Sequence, residues 1–360
     1  TFPTITNFLT VKNGRVYDGN KPFRCWSVNV AAYAVTRSSV ADMTKFADRV
    51  HSIGVNMVRL HHTAIAGDGG YVPTFAEAEA QFPKLDAFID ILASRGIRVW
   101  LTGIERRRFT EAEAQTMEIV AELQGNRPAG IFKNEVGGTF FISPDVMKYC
   151  KAYILKLVDR YKNNPAIGGL TFWNESFGSR AKGYYVAGER GVKTHPYALC
   201  WFAKWDQFNT FGSKQSKVDG AKFGAWLGYQ AAKEVADAVD AAGWKALTNV
   251  SAIHGDCPIS TLLEQLPGKV IDFHLYHEND LQVDPLSPLT DKTVNRTFES
   301  VCASLHLKDK PLFCTEWASV YQNSTATAPK STKSPSWLTA CEQLAKSASN
   351  QCVDGMFQYA

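Results

Sequence analysis

Two short segments of the chain carry the same kind of group, a glutamate carboxyl: Phe172-Trp173-Asn174-Glu175 and Cys314-Thr315-Glu316-Trp317. A third, Val58-Arg59-Leu60-His61-His62, supplies a guanidinium and two imidazoles, and a fourth, His274-Leu275-Tyr276-His277, adds imidazoles and a phenol. Two carboxyl groups facing one another across a cleft suit hydrolysis of a glycosidic bond: one protonates the leaving oxygen while the other attacks the anomeric carbon or activates water. Either glutamate alone is commonly a solvated loop charge or an ion-pair partner. Both together, each led into by an apolar strand and one preceded by Asn174, point to a pair with a shared task.

Such a pair needs a scaffold that gathers several strand ends. Short apolar runs at Arg24–Asn29, Asn56–His61, Ile97–Thr102, Ile167–Trp173, Lys245–Val250, Val270–Tyr276, Pro311–Thr315 and Val353–Tyr359 read as strands. Between them, apolar residues recur at helical spacing over Val40–Ile53, Lys84–Ser94, Pro144–Lys162, Ala221–Ala242, Ile259–Leu266, Thr293–Leu307 and Trp337–Ser349. Gly54, Gly96 and Gly243 each stop a helix just before a strand. Alternating strands and helices in units of about 25 to 45 residues predict a parallel sheet, and a series of eight predicts an α/β (β/α)8 TIM barrel. Residues 1–22, with apolar Val11, Val16 and Tyr17 around Asn13-Gly14, predict a short N-terminal β-hairpin capping the barrel bottom, and residues 23–360 a single catalytic domain.

Two connections exceed a bare crossover, Gly103–Ser143 after the third strand and Glu175–Gly220 after the fourth. Long βα loops lie on the face where barrel active sites are built. The second is dense in aromatics, among them Tyr184, Tyr185, Trp201 and Trp205, and the two loops together would wall off one end of a cleft and favour exo action. The Ser/Thr/Pro/Lys-rich stretch Asn323–Ser336 reads as a further loop.

Composition narrows the class. With 45% hydrophobic and 21% charged residues, and 26 Gly and 15 Pro spread along 360 residues, the chain is not disordered, collagen-like or coiled-coil. A net charge of +4 with no dense basic stripe predicts neither a nucleic-acid nor a membrane partner. Aromatic residues make up 12%, which suits flat apolar surfaces for a ligand as well as a bulky core. No apolar run reaches the roughly 18 to 20 residues of a membrane span. The start at Thr1-Phe2-Pro3 predicts a mature, processed or trimmed form, and the end just after the eighth strand predicts either a truncated chain or a barrel without its last helix. Eight cysteines without a C-x-x-C pair argue against zinc-ribbon or thioredoxin chemistry and suit a secreted, periplasmic or extracellular protein with some disulfides.

The segments Gly54-Val55-Asn56-Met57-Val58-Arg59-Leu60-His61, Trp173-Asn174-Glu175, His274-Leu275-Tyr276 and Thr315-Glu316-Trp317 stand in the order, and on the strands, of the clan A retaining glycoside hydrolases. Over essentially its whole length the chain resembles that clan, most closely glycoside hydrolase family 5. The resemblance implies Glu175 as general acid/base, Glu316 as nucleophile, Asn174 on the sugar 2-hydroxyl, Arg59 and Tyr276 flanking Glu316, and His274 on the same wall. His61, Trp173 and Trp317 complete the expected substrate-binding set, although either indole could equally pack in the core. It implies a monomer acting on β-linked polysaccharide or oligosaccharide of mannan or glucan type, with neither metal nor organic cofactor. Arg59 and Tyr276 would lower the pKa of Glu316, while ionised Glu316 and the Trp173 ring would raise that of Glu175. Retention requires carboxyl groups about 5 to 5.5 Å apart, inversion roughly 6.5 to 9.5 Å.

The chain departs from the family pattern at Ser176, where proline is usual, at Leu101-Thr102-Gly103-Ile104-Glu105, which lacks the histidine common there, and at Gly355-Met356-Phe357-Gln358-Tyr359, which lacks a tryptophan. Two other functions share the fold: a non-catalytic carbohydrate-binding barrel, which would be expected to lack one carboxylate, and a metal-dependent hydrolase. The second could draw on His61, His62, His254, His274, His277 and Glu278. It would, however, place H-x-H on the first strand, where Cys25-Trp26-Ser27-Val28-Asn29 stands. Glu105 with Arg106, Arg107 and Arg108 reads as a solvated charge cluster or an acidic-glycan contact, and Cys314, two residues before Glu316, as an inert thiol on the same strand face. N-x-[ST] occurs at Asn174, Asn249, Asn295 and Asn323; a glycan on Asn174 would block the site, and Asn323 is the most exposed candidate.

Overall fold

The computed structural model describes residues 2–61, 74–104, 109–110, 112–113, 144–174, 217–250, 267–277, 290–291, 296–297, 309–319 and 355–359, with backbone alone at 32–33, 217–228, 273–277, 290–291, 296–297, 316–319 and 355–359. Three short strands open the chain: β1 (Leu9–Lys12), β2 (Arg15–Asp18) and β3 (Lys21–Pro22). Asn13 and Gly14 turn between the first two with φ of 51° and 69°. Positive φ at both central residues is the twist a two-residue hairpin loop demands.

Eight parallel strands come next: β4 (Cys25–Ala31), β5 (Met57–His61), β6 (Arg98–Ile104), β7 (Ile167–Trp173), β8 (Leu247–Asn249), β9 (Ile271–His277), β12 (Leu312–Ser319) and β13 (Gly355–Tyr359), with a two-stranded hairpin of β10 (Thr290–Asp291) and β11 (Arg296–Thr297) between β9 and β12. The sheet runs β8-β7-β6-β5-β4-β13-β12-β9. Its two ends meet where the amides of Lys269 and Val270, leading into β9, donate to the Thr248 carbonyl on β8 at 2.8 and 3.2 Å. The ring is therefore traversed in chain order, as a (β/α)8 barrel requires.

Helices α1 (Ala32–Arg37), α2 (Val40–Ser52), α3 (Phe75–Glu79), α4 (Phe82–Ala93), α5 (Pro144–Tyr161) and α6 (Lys217–Ala241) are described outside that ring. Helix α2 starts on a capping box, the Ser39 hydroxyl accepting from the Asp42 amide and the Asp42 carboxylate from that of Ser39. Helix α5 buries Val146, Met147, Cys150, Tyr153, Ile154, Leu157, Val158 and Tyr161, a stripe at helical spacing that packs on the outward residues of the strands. Gly54, Gly96 and Gly243, following α2, α4 and α6, adopt φ of 82°, 74° and 81° and reverse the chain toward the next strand. The short helices α1 and α3 lie below the length at which an apolar period is recognisable. Among the described residues no helix is long and apolar enough to cross a membrane.

One expected element is corrected. The helix predicted over Thr293–Leu307 does not begin there, because Arg296 and Thr297 pair antiparallel with Asp291 and Thr290. Thr290, Thr293, Val294 and Thr297 are β-branched, and stiff χ1 torsions favour the extended chain over the helical turn. The rest of that segment, and the helices expected at Ile259–Leu266 and Trp337–Ser349, lie outside the described residues.

Inside the barrel the lower layer is apolar. Cys25, Met57, Trp100, Leu247, Val270 and Phe313, from six strands or their approaches, pack together on Leu9 and Val16 of the N-terminal hairpin, which plugs this end. Trp100 fills its middle and leaves no room opposite: a Cβ on Gly169 would meet its ring at 2.6 Å. Arg98 ties the plug down, donating to the Asn7 carbonyl at 2.8 Å and to the Asp18 carboxylate at 2.8 Å. The Cys25 thiol donates weakly to the Met57 sulfur, and burial pushes its pKa well up, so it packs as a neutral group.

Candidate active site

Toward the C-terminal ends of the same strands the interior becomes polar. Cys25 gives way to Ser27 and Asn29, Met57 to Arg59 and His61, Trp100 to Thr102, Leu247 to Asn249, and all of these are buried. Burying polar groups is costly unless hydrogen bonds satisfy them, so a polar layer at one end of an otherwise apolar barrel marks the end where chemistry is placed.

Arg59 is the centre of this layer, with no accessible surface. Its Nη1 donates to Asn29 Oδ1 at 2.9 Å and its Nη2 to Asn174 Oδ1 at 2.8 Å. The planar guanidinium fork thus spans from β4 to the residue after β7. Asn29 in turn donates through Nδ2 to the Thr315 carbonyl at 2.9 Å. The Thr315 hydroxyl donates to the buried carboxyl group of Asp272 on β9. Five residues from five strands or strand ends are so linked, and two of them, Asn174 and Thr315, immediately precede Glu175 and Glu316.

Strand β12 is irregular where this linkage grips it. Against β9, Cys314 pairs with Phe273 but Glu316 with His274, and against β13 the register shifts between Cys314 and Trp317. One extra residue, Thr315, stands in β12 at this point. A bulge of this kind shifts the alternation by one position and re-aims the next residues of the strand. Cys314 and Glu316 therefore do not share a strand face, contrary to what unbroken alternation predicts; position 316 instead falls in register with 274, on the face held lower down by Phe313 and Asp272.

A second chain of bonds joins β6, β7 and β8. Trp100 Nε1 donates to Thr171 Oγ1 at 2.8 Å, and Thr171 Oγ1 donates to Asn249 Oδ1 at 2.6 Å. Asn249 has no exposed surface and Asn174 only 6%, so neither sequon asparagine is open to a glycan. Asn295 and Asn323 lie outside the described residues.

The remaining site positions are distributed unevenly. His61 closes β5 and is buried at the same end as Arg59. Trp173, 1% exposed, packs with Phe172 in the layer between strands and helices, so protein covers its ring. Glu175, the Glu105–Arg108 cluster and the long aromatic connection lie outside the described residues, as do the side chains of His274, Tyr276, Glu316 and Trp317. Among the described residues no group of three or more His, Cys, Asp and Glu side chains is placed to hold a metal ion. Asn29 escaped the reading of the sequence, although the alternation of Cys25, Ser27 and Asn29 with Trp26, Val28 and Val30 puts a polar residue inside at the C-terminal end of the first strand.

Known proteins share this arrangement of strands. The model of the cellulase family, glycosyl hydrolase family 5, matches residues 18–354. No curated protein sequence matches the chain. Among solved structures, the endo-1,4-β-mannanase of Rhizomucor miehei is similar at 13% identity with a TM-score of 0.56, covering 98% of this chain and 90% of its own. The endo-1,4-β-D-mannanase of Thermotoga petrophila RKU-1 is similar at 12% identity and a TM-score of 0.55, covering 94% of this chain and 88% of its own. A hyperthermostable endocellulase is similar at 14% identity and a TM-score of 0.55, covering 100% of this chain and 92% of its own. At these identities the likeness is one of fold.

Proposed function

The chain belongs to glycosyl hydrolase family 5 and is a retaining glycoside hydrolase, and from that premise we propose that it cleaves β-linked polysaccharides or oligosaccharides of mannan or glucan type by double displacement at Glu175 and Glu316. The observation that carries this reading is the Arg59 linkage. It joins the residue before one glutamate to the residue before the other through Asn174, Arg59, Asn29 and Thr315.

In the first step Glu175 gives its proton to the glycosidic oxygen while Glu316 attacks the anomeric carbon. The leaving alcohol departs and a glycosyl ester forms on Glu316. In the second, Glu175 takes a proton from water, the resulting nucleophile displaces Glu316 at the anomeric carbon, and both carboxyl groups return to their starting state. The Arg59 guanidinium keeps Glu316 ionised, and it orients Asn174 by occupying its Oδ1, which leaves the Asn174 amide to donate toward a sugar hydroxyl. His61, His274, Tyr276 and Trp317 line the sugar subsite, and Trp173 supports it from the core. Residues 1–22 act as a cap on one catalytic domain, 23–360, and the enzyme works as a secreted, periplasmic or extracellular monomer with no metal or organic cofactor.

The test begins with β-mannan, carboxymethylcellulose and their oligosaccharides, with product lengths followed over time, and with the anomeric proton of the first product read by NMR. Retained β-anomer is expected. Glu316→Ala should lower hydrolysis of an aryl β-glycoside by roughly 10⁵-fold, with activity partly restored by azide. Initial formation of the α-anomer, or a Glu316→Ala rate equal to that of the unaltered chain, would sink the two-glutamate mechanism.

A further inference from the structure

We infer that Asn29 is a positioning residue of the reaction, holding the β12 bulge and Arg59 in a single geometry and so aligning the two carboxylate-bearing strand ends; this rests on the reading of Glu316 as nucleophile. Asn29 lies on β4, while Thr315 lies two places round the barrel on β12, beyond β13. The Asn29 amide makes bonds of opposite sense. Oδ1 accepts from Arg59 Nη1 at 2.9 Å, and Nδ2 donates to the Thr315 carbonyl at 2.9 Å.

A neutral carboxamide meets both demands, with an acceptor at one end and a donor at the other. A carboxylate could accept from Arg59 but would oppose the Thr315 carbonyl with a second acceptor, and an aliphatic residue could do neither. Thr315 is the extra residue of the bulge, and its carbonyl is the one that accepts from Asn29. Its hydroxyl is held on the opposite side by Asp272. The extra residue is therefore gripped from both flanks, by Asn29 and by Asp272, and the strand phase it imposes decides which face position 316 occupies. Without the extra residue, 315 and 317 would follow Phe313 on the inner face and 316 would fall on the other. Around Asn29, the charged or titratable positions are Arg59 in register with it and His61 two places on along β5, Tyr359 in register with it on β13, and Asp272, which bonds to Thr315 from β9.

The role is separable from packing. Asn29 is 4% exposed and small, so its replacement removes directed bonds, those to Arg59 and to the Thr315 carbonyl among them, and little apolar contact. Asn29→Ala, Asn29→Asp, Thr315→Val and Thr315→Ser are to be compared with the unaltered chain on 2,4-dinitrophenyl β-mannobioside or β-cellobioside, whichever the unaltered chain hydrolyses. The readouts are kcat, KM, the pH profile of kcat/KM and the thermal transition. Asn29→Ala is expected to lower kcat at least about tenfold with KM changed less than about threefold. Asn29→Asp keeps the shape but sets a new negative charge against Arg59, so the acid limb of its profile should move to higher pH, because Glu316 then shares its cation. Thr315→Val should follow Asn29→Ala, and Thr315→Ser, which keeps the hydroxyl, should restore most of the rate. An active unaltered chain whose Asn29→Ala and Asn29→Asp variants keep kcat within about twofold and the same pH profile overturns the inference alone. If the unaltered chain and its Glu316→Ala variant hydrolyse neither probe, the underlying reading fails, and the inference fails with it.

Discussion

Arg59 Nη2 donates to Asn174 Oδ1 at 2.8 Å, although 115 positions separate the two in the chain. The bond crosses the mouth of the barrel, from β5 to the residue after β7, passing over β6. It fixes the orientation of the Asn174 amide, because the guanidinium, which can only donate, must be met by Oδ1 and not by Nδ2.

Arg59→Lys tests that bond. Lysine keeps the positive charge but offers a point in place of a fork, so it cannot reach Asn29 and Asn174 together. A fall in kcat/KM on the order of a hundredfold is expected, measured on an aryl β-glycoside. Activity near that of the unaltered enzyme would mean that the charge alone suffices.

Gly169→Ala tests the lower layer. The added methyl would stand 2.6 Å from the Trp100 ring, which is fully buried and bonded to Thr171. Overpacking of this kind costs roughly 1 to 3 kcal/mol. Urea unfolding followed by tryptophan fluorescence should show an earlier midpoint for this variant.

The surface supplies a prediction with a pH sign. Arg160 donates to the Asp86 carboxylate and Tyr161 OH joins it at 2.8 Å; the guanidinium first and the phenol second hold the Asp86 carboxyl below the usual carboxylate range. A folded pKa below the unfolded one contributes stability that is fully present above the ordinary value near 4 (about 3.9) and is lost as pH falls through the folded value. Asp86→Asn should thus destabilise the fold at neutral pH by roughly 0 to 1 kcal/mol, as for partly exposed pairs, and lower the melting temperature accordingly. The difference should shrink as melts are repeated below pH about 4. A difference that grew on acidification would contradict the assignment.

Chelation separates the proposed mechanism from a metal-dependent barrel hydrolase. Activity after dialysis against EDTA should equal that before it. A loss reversed by added zinc or manganese would move the chemistry to the histidines at the strand ends.

The architecture was legible from the residues because its signals are local. Short apolar runs marked all eight barrel strands, and the helical spacing of apolar residues marked α2, α4, α5 and α6, each to within a few positions of where they form. The glycine stops came from backbone sterics that act within a turn. Where the local signal was mixed it failed: the segment from Thr293 carries both an apolar period and β-branched residues, and Arg296–Thr297 pairs as a strand.

The candidate site divides in the same way. Which residue types stand at the strand ends, among them Arg59, Asn174, Glu175 and Glu316, is a property of the chain, and with it the chemical class. That Asn29 belongs with them was decided only by folding, because its hydrogen bond to the Thr315 carbonyl joins positions 286 apart. The face of β12 occupied by position 316 was decided there too. A strand's alternation can be read from its own residues only while its pairing is regular, and the bulge at Thr315 exists only against β9 and β13.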